Sequence, residues 1–156
     1  MKHYPRNRRT SALAAAFLVV FSGCATFVPA FRGAAVLDTV DAINGAALET
    51  LVERSAVPFV FDAEILSRGL DVETLWRGLR EAGFVLEEAE VIAVRNVTGE
   101  SYRMFSTSDE MRIFFEKHVP SDAYTATIGS ARGTFVLLLA GRRGDPARIL
   151  GFGGPM

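Results

Sequence analysis

The sequence predicts an α+β domain whose helices pack on one face of a curved, mostly antiparallel sheet. Three observations predict it. Apolar residues recur at helical spacing early in the chain, as in Val36, Val40, Ile43 and Ala47. Later they alternate at period two or run unbroken, as in Phe135 to Leu139. The two patterns are segregated along the chain: helices, a strand, a helix, then mostly strands.

The first element is an N-terminal leader. Lys2, Arg6, Arg8 and Arg9 form a positive head, and no acid occurs before Asp38. The apolar run from Ala12 to Phe21 is too short for a membrane span, which needs about 20 apolar residues, but suits the core of an export signal. It ends in Phe21-Ser22-Gly23-Cys24, with the only cysteine of the chain. This order resembles a bacterial lipoprotein signal peptide, with Phe21 where leucine is usual. The resemblance implies removal of residues 1–23 and lipidation of Cys24. A thiol can carry a diacylglycerol as a thioether, and two or more acyl chains hold a protein stably to a bilayer. Ala25 follows the cysteine in place of the aspartate associated with inner-membrane retention, which points to the outer membrane of the cell envelope.

Residues 24–34 read as a lipid-anchored tether, because Pro29 and Gly33 oppose regular structure. Residues 35–156 form the single domain. Its helical spacing over 35–54 is broken at Asn44-Gly45 into two helices. One strand is expected from Pro58 to Leu66, with Phe59, Phe61, Ala63 and Ile65 on one face. Asp71 is placed to cap a helix carrying Val72, Leu75, Trp76 and Leu79, closed by Gly83. Val85 to Val97 reads as a long strand, and Tyr102 to Ser106 follows a turn at Thr98-Gly99. Ser108 or Asp109 caps a short helix with Met111, Phe114 and Phe115 on one side, stopped by Pro120. Tyr124 to Ile128, Gly133 to Ala140 and Ala147 to Phe152 make the final strands.

Composition narrows the function. Without residues 1–23 the chain keeps 13 basic and 18 acidic residues, a formal charge of −5. That excludes a nucleic-acid partner, which needs clustered Lys and Arg. It leaves the membrane to be held through the acyl chains of Cys24. No cofactor motif occurs. His118 is the one histidine after the leader and has no second His or Cys for a metal site.

The element order of residues 35–153 resembles the nuclear transport factor two-like superfamily, the cone-shaped fold shared with ketosteroid isomerases and polyketide cyclases. Val36 to Arg54 is similar to its first helices, Pro58 to Asp62 to its first strand, Val72 to Phe84 to its third helix. The helix near 109–119 departs from the common pattern. The superfamily includes enzymes, carriers and scaffolds, so the resemblance leaves function open.

Two main readings follow, beside a third in which the protein is a purely structural envelope lipoprotein with no pocket and an exposed apolar patch for assembly. The first is a non-catalytic, lipid-anchored envelope domain that binds a small apolar ligand or another envelope protein. The second is an isomerase- or cyclase-like enzyme. On a continuous strand, Asp62 and Glu64 would project from one face about 7 Å apart. In an apolar pocket, such neighbours raise one pKa toward that of a general base. Tyr102 or Tyr124 would then supply the oxyanion partner, and His118, at a helix end, is a candidate proton carrier. Trp76 at helical spacing reads as core rather than ligand platform. Arg143-Gly144-Asp145 reads as ordinary turn chemistry. Gly151 to Gly154 opens no helix and so is no phosphate loop.

Overall fold

A computed structural model describes residues 30–156. The expected leader 1–23, the expected lipidation site Cys24 and residues 25–29 of the expected tether lie outside these. The order is α1 (Ala30–Gly45), α2 (Leu48–Arg54), β1 (Ser55–Phe61), β2 (Glu64–Leu66), α3 (Gly69–Glu81), β3 (Glu90–Asn96), a 3-10 turn (Ser101–Met104), α4 (Asp109–His118), β4 (Tyr124–Ser130), β5 (Gly133–Ala140) and β6 (Arg148–Gly153). The strands form one six-stranded sheet, β2-β1-β6-β5-β4-β3. Every neighbouring pair is antiparallel except β1 and β6, which run parallel. The domain is α+β, as its sequence pattern predicts.

The pleat of β5 sorts the core. Phe135, Leu137 and Leu139 join one apolar cluster with Val36 and Val40 of α1, Leu51 of α2 and Val72 and Trp76 of α3. Leu138 and Ala140 join a second cluster with Met111, Phe114 and Phe115 of α4. The first three helices thus share one face, and α4 covers the other. This is why the run from Phe135 to Leu139 is apolar without alternation: both of its faces are buried.

Several boundaries depart from the sequence pattern. Residues 30–34, expected as tether, already belong to α1. Gly33 costs a helix about 1 kcal/mol, but Arg32 and Val36 on the same side pack against the sheet and outweigh it. The break at Asn44-Gly45 stands, and Asn44 does more than break: its side chain accepts from the Leu86 N–H (2.8 Å) and donates to the Leu86 carbonyl (3.3 Å). Those bonds hold 85–89 as irregular chain, so β3 begins only at Glu90. Residues 101–104 turn as a 3-10 helix rather than extending. α3 starts two residues before Asp71, which lies in its first turn and pairs with Arg68 at 2.7 Å.

Two ends follow the pattern closely. Ser108 caps α4, its hydroxyl accepting from the Met111 N–H at 3.2 Å. Gly83, at φ +65°, closes α3. Its N–H donates to the Arg80 carbonyl, and the Phe84 N–H to that of Leu79, the paired bonds of a left-handed helix stop.

Candidate functional site

The predicted acid pair is not on one strand. β1 ends at Phe61, the chain turns at Asp62-Ala63, and Glu64 begins β2 opposite Phe61. Asp62 takes a left-handed backbone, φ +50°, a conformation that Asp tolerates better than most residues. Its Oδ1 accepts from the Gly154 N–H at 2.7 Å, and its own N–H donates to the Phe152 carbonyl at 3.0 Å. Asp62 therefore ties the hairpin to the end of β6, while Glu64 faces water. Asp62 also lines a surface groove of about 330 Å³ with Met104, Phe105 and Pro155, and no tyrosine lines it.

Neither tyrosine joins it. Tyr124 begins β4, and β5 and β6 separate β4 from β1; three strand spacings are about 14 Å. Tyr102 packs beneath α4 against Phe115, and its hydroxyl accepts from Arg103 Nε at 3.3 Å. His118 stacks near Phe114 at the end of α4. It shares a groove of about 180 Å³ with Glu110, Pro58 and Ile113. The two ionisable groups sit eight residues apart on the helix, about 12 Å along its axis, too far to exchange a proton. The base, oxyanion partner and proton carrier expected from the sequence are thus three separate places.

The interior that a cone-shaped fold could offer a ligand is occupied. Phe59, Trp76, Phe84, Phe135 and Phe152 pack ring against ring with centroids 5.6–6.1 Å apart, a mutually favourable spacing. Trp76 is 1 % exposed and donates its indole N–H to Ser55 Oγ at 2.9 Å. It is core, as its spacing predicts.

The most unusual electrostatics lie under α1, at a residue assigned to the tether. Arg32 is 9 % exposed. Its guanidinium sits 4.7 Å from the centroid of the Tyr124 ring, donates to Asn96 Oδ1, and reaches the Asp122 carbonyl at 3.2 Å. Its Nε is buried and has no partner among the described residues. Burial pushes the Tyr124 phenol up, and the nearby Arg32 and Arg54 partly offset that. Arg54 donates to Thr39 Oγ (3.0 Å) and the Ala147 carbonyl (3.2 Å) and pairs with Asp38 at 3.0 Å. The signal for Arg32 was present in the sequence: the spacing of Val36, Val40 and Ile43, extended back four residues, falls on it.

Arg143-Gly144-Asp145 lies exposed in the β5–β6 loop. Among the described residues, no group of three His, Cys, Asp or Glu could hold a metal ion, and no helix is long and apolar enough to cross a membrane. The chain matches no protein-family model and no curated protein sequence.

Proposed function

We propose that this chain is a lipid-anchored bacterial envelope protein whose folded domain is a non-catalytic docking module for another envelope protein. The anchor half rests on the leader, its short apolar core and Ser22-Gly23-Cys24. One observation carries the docking half: the space between α3 and the sheet is filled by aromatic rings. A small apolar ligand needs a concave site of a few hundred Å³, and the grooves that touch Asp62, His118 and α1 are open ones at the surface. The isomerase-like alternative needs Asp62 or Glu64 as a base; Asp62 already accepts a backbone hydrogen bond in a turn, Glu64 faces water, and Tyr124 is at least about 14 Å from Asp62 across the sheet. Two helices, a hairpin, a third helix and four further strands, with the first strand beside the last, support the resemblance to the nuclear transport factor two-like superfamily, in which scaffolds occur, while α4, inserted between β3 and β4, departs from it.

The test is metabolic labelling with radioactive palmitate in a bacterial host, followed by membrane fractionation. The wild type is expected to take up label and sediment with membranes, and Cys24→Ser to do neither. Label entering Cys24→Ser, or unlabelled full-length wild type in the cytosol, would remove the anchor. Stoichiometric co-purification of a small apolar compound from native membranes would replace the docking reading with a carrier.

A further inference from the structure

We propose that the outward face of the first two turns of α1 lies against the bilayer, with the β5–β6 loop beside it. The proposal rests on the lipidated-Cys24 reading and adds which side of the domain meets the lipid.

An exposed helix face is ordinarily polar and its buried face apolar. The start of α1 reverses this. Among its first eight residues, Ala30 to Leu37, the only charge is Arg32, and that side chain is turned inward against Tyr124. The outward side carries no charge: Ala30 and Ala34 are exposed, Phe31 is half-buried, and Leu37 is 50 % exposed. The first acid is Asp38. Phe31 and Ala34 also border a groove of about 370 Å³ whose helix side ends at Asp38 and whose other wall is Arg142, Gly144, Asp145 and Pro146, so the two carboxylates mark where the apolar strip stops. Arg142 and Arg143 are exposed there, long enough to reach headgroups while the apolar face lies lower.

The covalent chain says what covers this face. Only five residues, Ala25 to Pro29, separate Cys24 from α1. Even fully extended, they place Ala30 within about 20 Å of the acylated sulfur. Packing of Arg32 on Asn96 and on the Asp122 carbonyl fixes that helix start at one end of the sheet. The opposite end, at the β4–β5 turn Ala131-Arg132, is a β5 length away, about 25 Å. A short leash at one end makes that end the one that touches. The net negative charge of the mature chain supplies no attraction, so the contact is apolar and oriented by the leash.

The test uses the full chain, purified from bacterial membranes and reconstituted into phosphatidylethanolamine–phosphatidylglycerol vesicles. Lipidation occupies the Cys24 thiol, so a single introduced cysteine takes an environment-sensitive fluorophore uniquely. Leu37→Cys and Arg132→Cys are compared, both at exposed positions, with an unchanged melt as the folding check. Nitroxide-bearing lipid is expected to quench the label at position 37, with a blue-shifted emission, and to leave that at 132 bright. Equal brightness at both positions in vesicles that still carry the protein would overturn the proposal and leave the anchor intact. Quenching at neither position because the protein fails to float with vesicles would overturn both. A label at 37 that is shielded yet unquenched, with cross-linked dimers, would assign the face to a second copy.

Discussion

Arg32 shows what a single side chain can decide. Its guanidinium is buried with no carboxylate partner among the described residues, held by an aromatic face, an amide oxygen and a carbonyl. Burial of an unpaired charge is expensive, so these contacts constrain α1 tightly against β3 and β4. Tyr124 has the complementary role. Its phenol is pushed above its ordinary value by burial. Between the ordinary value of about 10 and the raised one, the unfolded chain loses its proton first. The unfolded state then binds fewer protons, so stability is full below about pH 10 and falls as pH rises through the folded value. Urea melts of wild type and Tyr124→Phe are expected to diverge in slope above about pH 10, the variant losing less stability per unit. Parallel pH profiles would show that the phenol is not desolvated. Trp76 was legible in the sequence because helical periodicity predicts burial directly. Asp62 and Glu64 were not, because the alternation of Phe59, Phe61, Ala63 and Ile65 runs unbroken through the turn. Asp62-Ala63 lacks the Asn-Gly signature of a tight hairpin; the tie to Gly154, 92 residues away, is a tertiary fact.

Elements were readable where their ends carry local chemistry. Ser108 and Gly83 mark a start and a stop by side chain or backbone freedom alone, and both stand. Gly83 at φ +65° is a position where a Cβ meets backbone strain with no steric neighbour. Gly83→Ala is therefore expected to lower stability by about 1–2 kcal/mol, seen as a shift of the urea midpoint at unchanged m-value. An unshifted midpoint would mean that the stop tightens without the left-handed residue. β3 was less legible. Its expected start at Val85 was overridden by Asn44, forty-two residues away, whose amide occupies the Leu86 backbone. β1 holds Pro58 within an interior strand, and the pairing with β6 is irregular between Ser55 and Val60, where a missing N–H is tolerated. On the outer edge, β3 and β4 shift register between Val91 and Ala93. Such a bulge on an edge strand hinders pairing with another sheet.

At the scale of the molecule, the sheet carries two cores on opposite faces, and β5 belongs to both. Periodicity predicted helices on one face because it reveals that a helix has an apolar side, not which surface receives it. The two cores are expected to melt together. Met111→Ala, which opens a void under α4, is expected to cost about 2–5 kcal/mol, as large core truncations do. Fluorescence of Trp76, the chain's single tryptophan and buried on the other face, is expected to report that full loss. An unchanged Trp76 transition beside a weakened helix signal would make the faces separable.

The parallel ladder between β1 and β6 joins segments about 90 residues apart. A chain that emerges N-terminus first, from a ribosome or through a membrane, holds β1 without this neighbour until nearly all of it has followed. Until then β1 has only the three-residue β2 at its side, and Val60, Phe59 and Phe61 have no sheet to join. A chain truncated before Arg148 would leave that gap permanently, so quality-control proteases have a clear mark for incomplete copies.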